Sequence, residues 1–237
     1  MLPITHARRL ANQGETASTW AGQGVAVITT TTIADDKLAR LGHESELEIV
    51  ERFRPDYHVP TDYAVYGDDP LSKQREQATA CAQGTRWMAD RVPDETTVVP
   101  LIKGSTPNIR AITERAAADL GVDIVAFYGG QYETTPWTRR KATLNQDLRG
   151  IQRETAGLPV VVIGATGPWT LLDMPGNVQG VAGLRRWREA VTPRSTSASE
   201  MQTTYRSVVE GVKSYLGASS DGGGISRGGG VSANGGP

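Results

Sequence analysis

Cysteine and histidine are scarce in this chain. Its 237 residues include one cysteine, Cys81, and three histidines, His6, His43 and His58. A single thiol excludes an intrachain disulfide and a zinc site built from several cysteines. The histidines are scattered along the chain without the spacing of metal ligands. We therefore expect neither a metal nor another cofactor.

Long apolar runs and an excess of one charge are also missing. No stretch has the length of a membrane span, and the N-terminal residues lack the apolar segment of a secretory signal. The 25 Lys and Arg residues and 26 Asp and Glu residues give a formal net charge of −1, so global attraction to nucleic acid is excluded and only a local basic patch is compatible. We expect a cytoplasmic protein without a membrane partner.

Apolar β-branched segments alternate with helical patterns along most of the chain. Strands are predicted at 24–32, 56–60, 97–103, 122–128 and 159–164, and helices at 43–53, 70–91, 106–120 and 142–156. Strands that are apolar throughout are typical of parallel sheets covered on both faces. An α/β fold follows, either a doubly wound sheet or a (β/α) barrel of the TIM type, and the polar strand ends favour the barrel.

Composition divides the chain into three parts. Residues 1–23 show weak periodicity and are expected to form a leader or a short helix, and residues 24–216 carry the barrel-like domain. Residues 217–237 are rich in Gly and Ser and are predicted to form a disordered tail.

Three helix ends carry recognisable signals. Asp69-Pro70 and Thr106-Pro107 are each typical of a capping residue followed by proline in the first helical turn. Gly121 is expected to end the second of these helices. Cys81 is predicted to be a small core residue within the first helix, and His58 to be buried and hydrogen-bonded on its strand.

The segment 98–110 is the most informative of the sequence, because a buried strand ends in Lys103-Gly104-Ser105 and turns at once into a helix. Lys103 has three interpretations: a donor to a purine carbonyl or a phosphate, a Schiff-base lysine, or a surface lysine at a loop mouth. Gly104 permits either a close approach of substrate or a tight turn.

Five motifs follow one another in collinear order between about residues 25 and 192. They are Asp56-Tyr57-His58-Val59-Pro60-Thr61-Asp62, Thr85-Arg86-Trp87-Met88-Ala89 within 75–91, the segment 99–110, Phe127-Tyr128-Gly129-Gly130, and Val161-Val162-Ile163-Gly164-Ala165-Thr166-Gly167-Pro168. Their order resembles that of the guanine transglycosylase family, which exchanges guanine for 7-deazaguanines in tRNA, with a related branch acting on DNA. The resemblance implies a (β/α)8 barrel, complete or shortened.

The resemblance also implies a base pocket and a covalent mechanism in which an aspartate attacks the ribose C1′. The base-binding residues would be Asp62, Lys103, Gly104, Gly129, Gly130 and Gln131. A carboxylate such as Asp62 accepts hydrogen bonds from N1–H and from the exocyclic amine of guanine. The alternative is a turn aspartate satisfied by backbone donors. Tyr132 is a further candidate for stacking on the base.

The chain also departs from the family pattern. No Asp-Ser-Gly-Gly-Phe strand end lies upstream of residue 24, residues 180–187 contain no carboxylate where the family has its nucleophile, and the three cysteines and the histidine that bind zinc are absent. Lys103 stands where the family commonly has glutamine. The nucleophile is therefore unidentified, and the chain is a shortened, divergent or inactive relative, or one with a rearranged nucleophile.

Two clusters of basic residues are candidates for phosphate contacts. They are Arg139-Arg140-Lys141 and Arg185-Arg186, with Trp137 or Trp187 near by for stacking. Solvated helix faces explain such clusters equally well, and the sequence does not distinguish tRNA from DNA.

Three functions therefore remain open. The first is base-exchange glycosyl transfer, and the second is a noncatalytic barrel subunit that binds nucleic acid or a partner enzyme. The third is a Schiff-base lyase built on Lys103, for which the sequence reveals no acidic or hydroxyl partner. A homodimer or a partner subunit is compatible with each of them.

Overall fold

The computed structural model describes residues 1–22, 24–130, 132, 137–183, 185–191 and 195–220. The strands are β1 (Leu2–Pro3), β2 (Ile28–Thr30), β3 (Tyr57–Val59), β4 (Thr97–Val98), β5 (Leu101–Ile102), β6 (Val125–Tyr128), β7 (Val160–Ile163) and β8 (Val178–Ala182). The helices are α1 (Ile4–Asn12), α2 (Ala17–Ala21), α3 (Asp35–Leu38), α4 (His43–Phe53), α5 (Leu71–Ala89), α6 (Pro107–Leu120), α7 (Trp137–Glu154), α8 (Pro168–Leu171), α9 (Arg185–Ala190) and α10 (Ala198–Ser220).

The strands form two four-stranded sheets in which every pairing is parallel. The first sheet has the order β1-β2-β3-β4 and the second has the order β5-β6-β7-β8. Strand order follows chain order in both, as expected for consecutive β-helix-β units. The predicted mixed α/β class with parallel strands is confirmed.

Residues 97–103, predicted to form one strand, make two short ladders instead. The Val99 amide donates to the His58 carbonyl at 2.8 Å, and the Pro100 carbonyl accepts from the Ala126 amide at 2.8 Å. Pro100 has no N–H, so regular pairing is interrupted there. The segment is nevertheless extended, and it pairs with β3 on one side and β6 on the other. One stretch of chain thus links the two sheets.

Three apolar clusters form the core. One lies between the second sheet and α7, where Leu144, Leu148 and Ile151 are fully buried. A second joins the strand residues of both sheets and includes Val99 and Cys81. Cys81 is a core residue as predicted, and burial raises the pKa of its thiol to about 12.

The first 22 residues, for which the sequence left a leader or a short helix open, are part of the fold. Strand β1 pairs with β2, and α1 packs on α4 through a third apolar cluster that includes Ile4, Ala7, Val50 and Phe53. At the other end, α10 extends through Ser220. The remainder of the predicted tail, 221–237, lies outside the described residues. No helix in the described part of the chain is long and apolar enough to cross a membrane.

Two of the predicted helix starts differ in detail. Helix α5 begins at Leu71 without a side-chain cap, and Asp69 instead accepts a 2.8 Å hydrogen bond from Lys73 Nζ, which lowers the pKa of Asp69. Thr106 occupies the N-cap position before Pro107, as predicted, although its hydroxyl makes no capping bond. Gly121 ends α6 in the left-handed conformation, with φ 62°, as predicted.

Candidate functional site

A cavity of about 520 Å³ lies where β2, β3, β5, β6 and β7 end, and we call it the site cavity. Its lining residues are Thr32, Ile33, Ala34, Asp35, Leu38, Asp62, Ala64, Val65, Tyr66, Lys103, Tyr128, Gly130 and Ile163. Because all these strands are parallel, their carboxyl ends meet at one edge and present the side chains that follow them to the same space. This is the edge at which α/β folds place ligands.

Asp62 and Lys103 form a buried ion pair within this cavity. Lys103 Nζ lies 2.8 Å from Asp62 Oδ1, and the two side chains are only 9% and 8% exposed. Apart from this ion pair, Oδ1 is buried without a hydrogen-bond partner among the described residues. The carboxylate therefore keeps the capacity to accept hydrogen bonds from a ligand.

A strained turn directs Asp62 into the cavity. Thr61 adopts φ 50°, which is unfavourable for a β-branched residue. The turn is held by two backbone donors: the Asp62 amide donates to Thr31 Oγ1, and the Thr61 amide donates to Glu46 Oε1, both at 2.9 Å. Gly84 of α5 lies so close that a Cβ there would overlap the Thr61 side chain.

Behind this turn lies a buried chain of polar groups. His58 Nε2 is 2.9 Å from Glu46 Oε1, and its Nδ1 is 2.8 Å from Thr29 Oγ1. His58 is fully buried and hydrogen-bonded, as predicted. The sequence reasoning missed Glu46, although a signal was present: Glu46 shares the apolar face of α4 with Val50 and Phe53, which is an unusual position for a carboxylate.

Three further lining residues of the cavity, Asp35, Tyr66 and Tyr128, were not selected as site residues from the sequence. Tyr66 donates a 2.6 Å hydrogen bond from its hydroxyl to Asp35 Oδ2. This bond, together with burial and the negative charges of Asp35 and Asp62, raises the pKa of Tyr66 to about 12. The phenol is thus neutral and donating at physiological pH. The available signal was the position of Asp35 shortly after the end of β2.

Of the three glycines predicted to bind the base, one lines the site cavity and two are explained by local backbone geometry and packing. Gly130 lines the cavity, whereas Gly104 and Gly129 are not among its lining residues. Gly104 has φ 134°, and a Cβ there would lie 2.7 Å from Ile109 Cγ2. A Cβ on Gly129 would lie 3.0 Å from Ala165 Cβ. The positive φ of Gly104 fits the turn-geometry interpretation, and close packing against Ala165 accounts for Gly129.

Several other predicted site residues are not brought to the cavity by the described structure. Gln131 lies outside the described residues. Tyr132 is buried against Phe127, with ring centroids 6.1 Å apart, and its hydroxyl donates to Asp147 at 2.5 Å. This placement does not support stacking of Tyr132 on a base.

The basic clusters lie on helices near the C-terminal half of the chain. Arg139, Arg140 and Lys141 belong to α7, and Arg185 and Arg186 begin α9, but their side chains lie outside the described part of the structure. Trp187, considered for stacking, donates its indole N–H to the Met201 carbonyl at 3.2 Å.

The residues present do not fit the zinc site that the family resemblance implies. In the described part of the chain, no group of three His, Cys, Asp or Glu side chains is placed to hold a metal ion. The single thiol, Cys81, is buried in the core.

Comparison with known protein families gave no match, and comparison with curated proteins gave none either. What the fold and the site define is an α/β protein with parallel strands and a polar cavity at their carboxyl ends.

Proposed function

We propose that this protein is a base-exchange glycosyltransferase, a pentosyltransferase of the guanine transglycosylase type, which replaces guanine in tRNA or DNA with a 7-deazaguanine. The observation that carries this proposal is the Asp62–Lys103 pair in the site cavity. A carboxylate beside an ammonium group presents acceptors and a donor side by side. Guanine has the matching edge, with donors at N2 and N1 and an acceptor at O6.

The complementarity also selects between bases. Adenine presents an acceptor at N1. This nitrogen would face another acceptor, the Asp62 carboxylate, with no proton between them, so Asp62 disfavours the binding of adenine. A 7-deazaguanine keeps the same N1, N2 and O6 groups as guanine and fits the same pair. The chemistry of this edge thus supports exchange between two guanine-like bases.

Size and shape of the cavity are consistent with a flat base. A volume of about 520 Å³ lies within the range of small-molecule sites. Tyr66 and Tyr128 line it and offer aromatic surface for a planar ring. A target base in a polymer would enter this cavity by leaving its stack, and the basic clusters on α7 and α9 are the proposed phosphate contacts.

The proposed fold is a (β/α) barrel of the TIM type. Its support is a cavity of about 200 Å³ lined from both sheets by Met1, Ile28, Tyr57, Val59, Val99, Ile124 and Val161. The outer strands β1 and β8 also share a cavity of about 510 Å³ with α10. In this arrangement 97–102 joins the sheets on one side, and α10 covers the seam between β1 and β8 on the other.

The proposed reaction has two covalent steps. An aspartate attacks the ribose C1′ while the bond to guanine N9 breaks, which forms a glycosyl ester. The incoming base then loses its N9 proton, attacks C1′ and releases the carboxylate. The proton gained by guanine balances the one lost by the incoming base. The proposed reaction uses no metal and no redox partner. We propose that it takes place in the cytoplasm.

Incorporation of labelled guanine into tRNA and into DNA tests this function. Wild type is expected to label one polymer, and Asp62→Asn is expected to lose labelling because its amide presents a donor to N1–H. Asp94→Asn is the matched control, since Asp94 is exposed and precedes β4 at the other end of the strands. Absence of label from both polymers contradicts the catalytic proposal. Calorimetric binding of guanine without exchange would instead support a noncatalytic binding subunit.

One observation favours a second candidate, a Schiff-base lyase. Asp62 provides Lys103 with the acidic partner that the sequence did not reveal. A lysine at a strand end with a carboxylate beside it has the components for imine formation and proton transfer. Borohydride trapping with small aldehydes and keto acids distinguishes the two functions. A stable adduct that Lys103→Ala abolishes would favour the lyase, and its absence would favour base exchange.

A further inference from the structure

We infer that Asp35 is the nucleophile of the proposed base exchange, and this inference rests on that proposed function. Two carboxylates occur among the described residues that line the site cavity, Asp35 and Asp62. Asp62 is buried and paired with Lys103, whereas Asp35 is exposed. The two therefore meet different parts of a bound nucleotide.

The shape of the substrate assigns the two carboxylates to different tasks. The base is the part of a nucleotide within a polymer that can enter the interior of the cavity, because the sugar remains attached to the polymer outside. A buried carboxylate accordingly contacts the base edge. The carboxylate that reaches C1′ must lie at the mouth of the cavity, where it opens to solvent, and Asp35 is the exposed one of the two lining carboxylates.

Tyr66 holds Asp35 in a state suited to attack. Its hydroxyl donates a hydrogen bond to Asp35 Oδ2 at 2.6 Å. This bond fixes one carboxylate oxygen, and the other oxygen, Oδ1, is the one we assign to the attack. A carboxylate is a competent nucleophile at an anomeric carbon, as in enzymes that form glycosyl esters. Tyr66 is thus a positioning residue for Asp35.

Charge at the mouth supports the same assignment. The charges of Asp62 and Lys103 neutralise each other. Asp35 therefore gives the lining of the cavity a net charge of one negative unit. Positive charge develops on the sugar ring as the bond from C1′ to the base breaks. A fixed carboxylate facing that ring stabilises the developing charge.

The step balances without a further reactant. Asp35 Oδ1 forms a bond to C1′, and the electron pair of the C1′–N9 bond leaves on guanine, which takes one proton from solvent. In the second step the incoming base returns one proton to solvent, and its N9 displaces Asp35. The nucleophile then lies at the first residue of α3, in the segment after β2, instead of between residues 180 and 187, which contain no carboxylate.

Adjacent aspartates provide a matched comparison. Asp36 is exposed, lies 3.8 Å from Arg40 and is not among the residues that line the cavity. We therefore compare wild type, Asp35→Asn and Asp36→Asn in three assays: exchange of labelled guanine, calorimetric binding of guanine, and formation of a polymer adduct on denaturing gels without added base. Asp35→Asn is expected to lose exchange by about 1,000-fold or more and to form no adduct, while binding guanine within about threefold of wild type. Asp36→Asn is expected to match wild type throughout.

Peptide mapping of the wild-type adduct locates the nucleophile independently of any variant. An adduct on the tryptic peptide 10–37 that is retained in Asp36→Asn supports Asp35 as the nucleophile. An adduct on the peptide that contains Asp62 overturns this assignment. Undiminished exchange by Asp35→Asn in an active enzyme overturns this inference alone. A wild type that neither binds guanine nor exchanges it overturns the proposed function, and the role of Asp35 falls with it.

Discussion

Asp62 and Lys103 connect binding to stability, because each side chain compensates the buried charge of the other. Lys103→Met leaves a carboxylate with little access to water, and we expect it to lower the free energy of unfolding by about 3 kcal/mol. Asp62→Asn leaves the ammonium group uncompensated and is expected to have a similar effect. The double variant removes both charges and should lose clearly less than the sum, as measured by urea denaturation.

A pair of the same chemistry with an exposed lysine provides the control. Lys73 and Asp69 are also 2.8 Å apart, but the lysine side chain is 53% exposed. Water screens such a pair, so Lys73→Met should leave the unfolding midpoint almost unchanged. Strictly additive effects of the two substitutions at Asp62 and Lys103 would show that this pair is not coupled.

Tyr66 reports on Asp35 through its ionisation. Its pKa is raised to about 12, first by the hydrogen bond to Asp35, so Asp35→Asn should lower the pKa of Tyr66 toward 10. Titration of the tyrosine ring carbons by NMR, with Tyr66→Phe for assignment, measures the change. Asp36→Asn should leave this pKa unchanged, and an equal fall in that variant would contradict the pairing.

The sign of the pH dependence follows from the same bond. Because the pKa of Tyr66 is higher in the folded protein than the ordinary value of 10, the bond contributes fully below pH 10. The contribution is lost as pH rises from 10 toward 12, where the unfolded chain releases the proton first. Tyr66→Phe should therefore flatten the fall in stability over this interval.

At the scale of elements, the turn after β3 depends on helix α5. Gly84→Ala places a methyl group into the Thr61 side chain, and we expect weaker guanine binding together with reduced stability. Thr61→Gly removes that side chain and suits the observed φ of 50°. The double variant should therefore recover most of the stability lost in Gly84→Ala.

Denaturation and calorimetry of the four proteins test this coupling. Gly211→Ala serves as control, because Gly211 lies in α10 with no atom within 4 Å of its added Cβ. That substitution should stabilise the protein by about 0.5–1 kcal/mol through helix propensity. If Thr61→Gly failed to rescue Gly84→Ala, the contact between α5 and the turn would not control Asp62.

Sequence periodicity located several elements of the fold well. Helix α4 has its predicted bounds, and β7 falls within the predicted strand at 159–164. Both have strong apolar patterns that a local reading can detect. The site was predictable to the extent that strand ends of a parallel fold converge, which placed Asp62, Lys103 and Gly130 together.

Other site residues depended on tertiary contacts that no local pattern encodes. Asp35 at the start of α3 and Tyr66 in the loop after β3 meet through a hydrogen bond, although they are distant in sequence. Glu46 contacts the turn before Asp62 from another helix. Strand β1 has two residues and is defined only by pairing with β2, so weak periodicity in 1–22 was not informative. Pairing partners decide such segments.

At the scale of the whole molecule, α10 is the longest of the elements that the sequence analysis did not predict. It packs on the core of the second sheet through Val212, Tyr215 and Leu216. Its residues also line the cavity shared by β1 and β8, at opposite ends of the two sheets. The helix thus connects the first and last strands, and we expect it to unfold with them in one transition.

Val212→Asp tests this expectation. A carboxylate at this partly buried contact should lower the free energy of unfolding of the entire protein by about 2 kcal/mol or more. Ser214→Asp is the matched control, because Ser214 lies on the same helix but is exposed. Circular dichroism and tryptophan fluorescence should follow one shifted transition in Val212→Asp and an unchanged one in Ser214→Asp. Loss of the helical signal at lower urea than the fluorescence change would instead show that α10 docks on a fold that is stable without it.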